Sequence, residues 1–166
     1  MTMGSARGNF ALGDFTLRPA RAEDAAAIVE VTQLSVEGLA RGHYSGAQIE
    51  GWTRGRDASY YRAAIALGRM HVAELDGRLV GFVDSVPGEV TRLFILPEIA
   101  RRGLGRRLME LGMVEARKGH AGKLRIEATR NAVAFYERFG FAVTGHGIFS
   151  RGAGNPDIEI VQMAER

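Results

Sequence analysis

The spacing of apolar residues changes several times along the chain, and each change predicts a new element of secondary structure. An early region follows the 3.6-residue period of helices, whereas a central region alternates with the period of two typical of strands. The predicted helices cover 20–39, 47–52, 58–67, 104–117 and 131–139. The predicted strands cover 15–18, 71–75, 78–86, 89–96, 124–128, 141–143 and 158–163. Their order, β-α-α-α-β-β-β-α-β-α-β-β, predicts a single mixed α/β (α+β) domain.

Short turns indicate how the strands run. Asp76-Gly77 is typical of a type I′ hairpin, and Pro87-Gly88 predicts a second tight turn. The central strands should therefore be antiparallel, whereas the helix between strands 89–96 and 124–128 makes that pair parallel. We expect a mixed, mostly antiparallel sheet with helices on both faces. The Gly-rich region 1–14 is predicted to be a flexible segment that precedes a domain covering 15–166.

The stretch 93–107 joins an apolar strand to an amphipathic helix through a glycine-containing loop. Gly103 and Gly105 lie between them, and arginines occupy positions 101, 102, 106 and 107. A helix start already has unpaired N–H groups and a partial positive charge, so acidic residues normally collect there. Four arginines at that point favour a phosphate ligand, since N–H groups and guanidinium groups both bind phosphate oxygens. The simpler alternative is a solvated basic turn whose glycines serve only its geometry.

Two common phosphate motifs do not fit this stretch. The dinucleotide pattern GxGxxG needs a third glycine at position 108, where the chain has leucine. A P-loop needs Gly-Lys-Ser/Thr, and Arg106-Arg107 follows the glycines instead. The phosphate would therefore be held by another kind of loop.

The amino-acid composition excludes several kinds of site and partner. The 166 residues contain no cysteine, which excludes disulfides, thiolate nucleophiles and cysteine–zinc sites. The four histidines show no metal-ligand spacing, so no metal is expected. There is no apolar leader and no run of 18 apolar residues, which favours a cytoplasmic protein without membrane association. The net charge of +3 is modest and its excess is local, so nucleic acid is not the expected partner.

Two motifs resemble the GNAT acetyltransferase superfamily. Gly103-Leu104-Gly105 after the strand ending Ile95-Leu96-Pro97 is similar to the end of its acyl-CoA signature, Gln/Arg-x-x-Gly-x-Gly/Ala, although the leading position is Ala100. The segment 129–141 resembles the second signature, Asn-x-x-Ala-x-x-x-Tyr-x-x-x-Gly-Phe. Ala132, Tyr136, Gly140 and Phe141 match it, and the leading position is Thr129, two residues before Asn131.

The resemblance implies transfer of an acetyl group from acetyl-CoA, the cosubstrate, to an amine. Tyr136 is similar to the general acid for the departing thiolate, and Glu89 to the general base for the amine. His43, His71 or a water chain could serve as that base instead. Asn131 could contact the cofactor or simply cap its helix. The resemblance implies a cofactor site formed by Ile95, Arg101, Arg102, Gly103, Leu104, Gly105, Arg106 and Asn131.

The acceptor is expected to meet the region 40–61, with contribution from the loop 145–157. Candidate contacts there are His43, Tyr44 and Trp52, although aromatic residues more often pack helices onto a sheet. The acceptor amine could belong to a small molecule or a peptide, and the chain could act alone or as a homodimer. A non-catalytic acyl-CoA sensor or a basic nucleic-acid-binding module remains the alternative function.

Overall fold

The computed structural model describes residues 14–39, 41–149 and 157–166, so most of the predicted flexible segment 1–14 lies outside the described residues. The strands are β1 (Thr16–Pro19), β2 (His71–Leu75), β3 (Arg78–Val86), β4 (Glu89–Ile95), β5 (Arg125–Ala128), β6 (Phe141–Phe149) and β7 (Ile158–Glu165). The helices are α1 (Ala25–Leu39), α2 (Gly46–Thr53), α3 (Ala58–Ala66), α4 (Leu104–Arg117) and α5 (Val133–Glu137). Short 3-10 turns cover Ala22–Asp24, Pro97–Ile99 and Arg130–Ala132. The predicted order of elements is confirmed.

The described strands form one seven-stranded sheet in the order β1-β2-β3-β4-β5-β7-β6. β4 and β5 are parallel, while every other neighbouring pair of strands in this sheet is antiparallel. Asp76 and Gly77 have φ angles of 49° and 77°, which the type I′ turn between β2 and β3 requires. The mixed, mostly antiparallel sheet predicted from the turns is therefore confirmed.

Alternate side chains of β3 face two different helical layers. Phe82 packs edge-on against Tyr61 of α3, with ring centroids 5.7 Å apart. Val83, one residue later, lies against Gly112 of α4. Because successive strand residues point to opposite faces, α1 and α3 cover one face of the sheet and α4 the other.

The prediction that β6 ends at Val143 is wrong, since the strand continues to Phe149. Gly145 and Gly147 suggested a loop, but both lie in the ladder opposite β7. A Cβ on Gly145 would lie 2.8 Å from Oε1 of Gln162, and one on Gly147 would lie 3.3 Å from its Nε2. These glycines therefore accommodate a close neighbouring side chain, which the chain sequence by itself does not reveal.

α4 lies unusually close to the sheet at Gly112. A Cβ added there would lie 2.6 Å from Cγ2 of Val83, a distance that forces atoms to move, and Val83 is fully buried. Ser85 reinforces the contact because its hydroxyl donates a hydrogen bond of 2.8 Å to the carbonyl of Gly112. The close approach fixes the helix that begins at the glycine loop.

We expect Gly112→Ala to lower the free energy of unfolding by about 1–2 kcal/mol. Since the added Cβ would lie 2.6 Å from a fully buried side chain, overpacking should cost about 2–3 kcal/mol, the upper part of its usual range, and the better helix propensity of alanine returns about 1 kcal/mol. Urea denaturation of both proteins measures the difference. Gly46→Ala is the matched control, since Gly46 also lies in a helix but nothing is within 4 Å of an added Cβ. Equal stability of the Gly112 variant and the unsubstituted protein would contradict this packing argument.

Candidate active site

The sheet opens between its two parallel strands. β4 pairs with β5 at one position, Glu89 with Arg125, and β5 pairs along its whole length with β7. Beyond that point the gap becomes a cleft of about 1110 Å³, lined by residues of β4, β5, α5 and the loop before α4. The cleft therefore passes through the sheet, between the two helical layers.

The backbone of β4 presents hydrogen-bonding groups to this cleft. The N–H of Leu96 donates to the carbonyl of Val80 in β3, at 2.9 Å. Because successive residues of a strand point their N–H and C=O groups to opposite edges, those of Ile95 are directed away from β3, toward the cleft. The side chain of Ile95 also lines the cleft. An extended ligand with amide groups can therefore pair with this edge.

The loop between β4 and α4 has a strained backbone. Arg101 has a φ of 64°, which is uncommon for any residue other than glycine, and Gly103 has a φ of 84°. Gly103 directly precedes α4 and has no side chain to cap its first N–H groups. The first turn of α4 also contains no acidic residue. The positive end of this helix is therefore open to an anionic ligand.

The predicted arginine cluster divides into two parts. Arg101 and Arg106 line the cleft, whereas Arg102 and Arg107 are not among its lining residues. Arg106 also forms an exposed ion pair of 3.0 Å with Glu110. Arg107 lies on the opposite side, where its guanidinium is 3.4 Å from the carbonyl oxygen of Phe15. Two of the four arginines are therefore placed to meet a ligand in the cleft.

Gly105 and Leu104 contribute to packing as well as to the predicted cofactor site. A Cβ on Gly105 would lie 3.2 Å from the ring of Phe135 and 3.3 Å from Ile95, so this glycine brings α4, α5 and β4 together. The side chain of Leu104 is fully buried in the core. A contact of Leu104 with a cofactor is thus limited to its backbone N–H group.

Glu89 lies at the start of β4, half-buried in the cleft. Burial raises the pKa of its carboxyl group above the ordinary range, and the nearby charge of Glu127 raises it further. Arg125 and Arg92 act in the opposite direction but do not reverse the shift. A carboxylate with a raised pKa binds protons more strongly, which suits a general base. Glu89 therefore lies in the cleft with a raised pKa, and its role as the general base stays a prediction.

Tyr136 lies in α5 and lines the same cleft. Its side chain is buried against Phe135, with ring centroids 5.1 Å apart. Burial raises the pKa of Tyr136 to about 12. The phenol therefore stays neutral near pH 7 and can donate a hydrogen bond to an atom in the cleft.

Asn131 also lines the cleft, and of its two expected roles the helix cap is wrong. Thr129 precedes the 3-10 turn, Asn131 lies inside that turn, and α5 begins two residues later. The Asn131 side chain makes no capping hydrogen bond at either boundary. Its contact with a cofactor thus remains the prediction to test.

The predicted acceptor residues do not all reach the cleft. His43 and Trp52 line it. Tyr44 is buried elsewhere, where its hydroxyl donates to the carbonyl of Glu159 at 2.8 Å and accepts from the N–H of Arg130 at 2.9 Å. Tyr61 is also a core residue, fully buried and hydrogen-bonded to Thr32. The aromatic composition alone could not distinguish residues that line the cleft from residues that pack in the core.

His71 lies on the other face of the sheet. It pairs with Val83 in the register of β2 and β3, and its ring is 4.0 Å from the carboxylate of Glu115 in α4. It therefore does not reach Glu89 or the cleft. Over the described ranges, no three His, Cys, Asp or Glu side chains are grouped so as to hold a metal ion.

Sequence reasoning missed a charged network beside Glu89. Arg92 lines the cleft, forms an ion pair with the buried Asp84 of β3, and donates to the hydroxyl of Tyr60 at 2.6 Å. The register shifts here, so that Thr91 has no partner between the Asp84–Arg92 and Ser85–Val90 pairs. Such a bulge changes the direction in which the side chains point, and the sequence pattern here did not predict it. Asp84, a charged residue directly after the apolar run of β3, was the available signal.

Comparisons with known proteins agree with this geometry. The model of the acetyltransferase (GNAT) domain matches residues 40–160. The chain is 30% identical over 112 residues to the uncharacterized N-acetyltransferase YafP of Escherichia coli, which covers 67% of this chain and 71% of that protein. The chain belongs to the GNAT acetyltransferase family. It is therefore an acyltransferase.

Solved GNAT structures share the whole fold. A GCN5-related N-acetyltransferase from Rhodopseudomonas palustris has a TM-score of 0.83 at 25% identity, covering 95% of this chain and 99% of that one. The PaiA N-acetyltransferase of Thermoplasma acidophilum, solved in complex with coenzyme A, has a TM-score of 0.71 at 24% identity over 92% and 98% of the two chains. Because the identity to the PaiA protein is below 25%, that comparison supports the fold alone.

Across the described part of the chain, none of the helices has the length and apolar character that a membrane span needs.

We expect Glu127→Gln to lower the pKa of Glu89, because the substitution removes a nearby negative charge that favours the protonated form. The carboxylate of Glu89 then forms at lower pH. A titration followed by the ¹³C resonance of the Glu89 carboxyl group measures the change. Glu98→Gln is the control, since Glu98 is exposed and pairs with Arg78 outside the cleft. A midpoint that Glu127→Gln leaves in place would show that the two carboxylates are not coupled.

Proposed function

We propose that this GNAT protein transfers the acetyl group of acetyl-CoA to a primary amine. The observation that carries the proposal is the meeting of three features in one cleft. These are the open N-terminus of α4 with Arg101 and Arg106, the half-buried carboxyl group of Glu89, and the buried phenol of Tyr136. The family membership supplies the class of reaction, and this geometry supports the assignment of roles.

The cofactor would lie along β4 and end at α4. Its pyrophosphate meets the N–H groups at the start of α4 and the guanidinium groups of Arg101 and Arg106. Its pantetheine amides pair with the backbone of β4 at Ile95, and Asn131 contacts the same arm from the opposite wall. The thioester is then placed within the gap between β4 and β5.

The chemistry follows from the two titratable groups. An alkylamine with a pKa near 10.4 is mostly protonated at neutral pH, so Glu89 takes a proton from it, directly or through water. The amine nitrogen attacks the thioester carbon, the new C–N bond forms, and the C–S bond breaks. The sulfur leaves as a thiolate, which needs stabilisation while its charge develops.

Tyr136 stabilises that sulfur as a hydrogen-bond donor. Because burial raises the pKa of Tyr136 to about 12, its phenol gives up its proton less readily than an ordinary phenol, which is already a weaker acid than a thiol. The phenol thus keeps its proton during bond breaking and shares it with the sulfur. The thiolate of CoA obtains its proton from the attacking nitrogen, which loses it as the amide forms, or from water.

The test of the proposal begins with a thermal-shift panel. Acetyl-CoA or CoA at about 100 times its dissociation constant adds about 2.7 kcal/mol, which raises Tm by several degrees for a chain of this size. Arg101→Gln should reduce the shift at a fixed ligand concentration, and Arg78→Gln, outside the cleft, should not. A shift with oligonucleotide alone would favour the basic-module alternative. Release of free thiol from acetyl-CoA in the presence of an amine library then distinguishes an enzyme from a sensor.

We expect Tyr136→Phe to lower kcat about 10- to 100-fold, because it removes one hydrogen bond to a charged sulfur and leaves the base intact. Steady-state kinetics with saturating acetyl-CoA measures the loss, and the affinity for CoA should change little. Tyr61→Phe is the control, since its phenol is buried in the core and bonds to Thr32. An unchanged kcat in the Tyr136 variant would remove its assignment.

A further inference from the structure

The bulge at Thr91 determines which face of the sheet Arg92 takes. The register of β4 with β3 pairs Glu89 with Val86, Val90 with Ser85 and Arg92 with Asp84. Paired residues of neighbouring strands lie on one face of a sheet, and successive residues of β3 alternate between faces. Glu89 and Arg92 therefore share a face, whereas residues three positions apart in a regular strand lie on opposite faces.

Contacts with the helices agree with this assignment of faces. Val90 lies on the α4 side, where its Cγ1 would be 3.4 Å from a Cβ added to Gly112. Arg92 lies on the α3 side, where it donates to the hydroxyl of Tyr60 at 2.6 Å. Glu89 precedes Val90 and so takes the α3 side as well. The β3 partners of Glu89 and Arg92 are two residues apart, which is about 7 Å along a strand and within reach of long side chains.

The guanidinium group of Arg92 is fixed by contacts with the fold. It forms an ion pair with Asp84, whose side chain is 3% exposed, and its second nitrogen bonds to the hydroxyl of Tyr60. Its central carbon also lies 5.1 Å from the centroid of the Tyr60 ring, in the range of a cation–π contact. A hydrogen-bonded network of this kind orders its members. The charge of Arg92 is therefore held in one place at the wall of the cleft.

Several charged side chains surround the carboxyl group of Glu89. Burial raises its pKa, and the charge of Glu127 raises it further, whereas the charges of Arg125 and Arg92 lower it. The cleft is also lined by His43, Arg56 and Tyr60 from the region 43–60, by Arg101 and Arg106 before α4, and by Tyr136 and Arg138 at α5. Arg125 pairs with Glu89 in the register but is exposed, so dissolved salt screens its charge. Arg92, whose side chain is 21% exposed, therefore supplies the less screened positive charge of these two.

We propose that Arg92 is a positioning residue of the acetyl transfer, which keeps the carboxyl group of Glu89 ionised and able to accept the proton of the amine. The inference rests on the proposed function, since Glu89 acts as a base in that reaction. Burial favours the protonated form of a carboxyl group, and a protonated carboxyl group cannot act as a base. The guanidinium group opposes this effect and stays charged itself, because arginine does not lose its proton in proteins. Asp84 and Tyr60 serve to hold it there.

The experiment measures the pH at which Glu89 ionises in two variants that change the local charge in opposite directions. Arg92→Gln removes the positive charge, so the midpoint should rise. An opposite charge within about 4–6 Å shifts a carboxyl pKa by about 1–3 units, so at this greater spacing we expect about 0.5–1 unit. Asp84→Asn removes the negative partner and leaves the guanidinium charge in excess, so the midpoint should fall. A titration followed by the ¹³C resonance of the Glu89 carboxyl group measures both.

Further variants separate the effect of charge from damage to the fold. Arg92→Lys keeps the charge, so the midpoint should stay near that of the unsubstituted protein. The double variant Asp84→Asn/Arg92→Gln leaves no unpaired buried charge, so it keeps the test open if Arg92→Gln alone does not fold. Its midpoint should rise, since Arg92 is the member of the pair that acts on Glu89. Arg78→Gln is the control, because Arg78 is exposed and pairs with Glu98 outside the cleft.

The pH profile of thiol release from acetyl-CoA connects this titration with the reaction. The acceptors are 2-phenylethylamine, 1,4-diaminobutane and a lysine-containing peptide, and the one with the highest rate is used for every variant. The lower midpoint of kcat/KM reports the base of the free enzyme. It should move in the same direction as the titration midpoint in each variant, which a merely structural role of Arg92 would not produce.

The outcomes separate this inference from the proposed function. An unmoved titration midpoint in both variants without Arg92, or a shift of Asp84→Asn in their direction, overturns the role of Arg92 whatever the rate of turnover. A kinetic midpoint that stays fixed while the titration midpoint moves overturns it as well, because another group would then be the base. Absence of thiol release with all three amines overturns the acetyl transfer, and in that case a moved titration midpoint still supports the control of Glu89 by Arg92.

Discussion

The structure depends on the separation of β4 from β5 after one residue pair. Elsewhere in the described sheet, neighbouring strands satisfy each other's backbone groups, and β5 satisfies one edge with β7. Buried N–H and C=O groups are costly when they bond to nothing, so an open edge inside a sheet requires water or a ligand. The gap that follows Glu89 and Arg125 thus makes β4 a backbone template for an extended molecule.

Opposite faces of the same strand serve opposite parts of the proposed reaction. Phe94 packs with Phe82 on the face covered by α1 and α3, whereas Ile95 contacts Gly105 on the side of α4. The helix proposed to meet a phosphate therefore lies on one side of β4, and the residues proposed to meet the acceptor lie on the other. The gap in the sheet connects the two sides, so an acetyl group can be transferred there from a cofactor on one side to an acceptor on the other.

Electrostatics divide the cleft in a similar way. The positive end of α4 with Arg101 and Arg106 lies after β4, and the carboxylates of Glu89 and Glu127 lie at its beginning. This separation of charge fits the proposed positions of an anionic cofactor at one end and an amine at the other. The buried Asp84–Arg92 pair adds rigidity to the wall between them, since breaking either partner would leave an uncompensated charge.

The sequence by itself determined the order of elements, the hairpin at Asp76-Gly77 and the glycine-containing loop before α4, because those depend on residues close together in the chain. It also placed Glu89 at the start of a strand, through the turn before it and the apolar pattern after it, and Tyr136 on a helix, through one short motif. It could not determine which side chains share a cleft, since that depends on register, on the bulge at Thr91 and on which face each strand residue takes. Because of those long-range pairings, Tyr44 and His71 lie outside the cleft, and β6 continues past its glycines. The same pairings place Arg56 and Arg92 in the lining of the cleft, with Asp84 paired to Arg92.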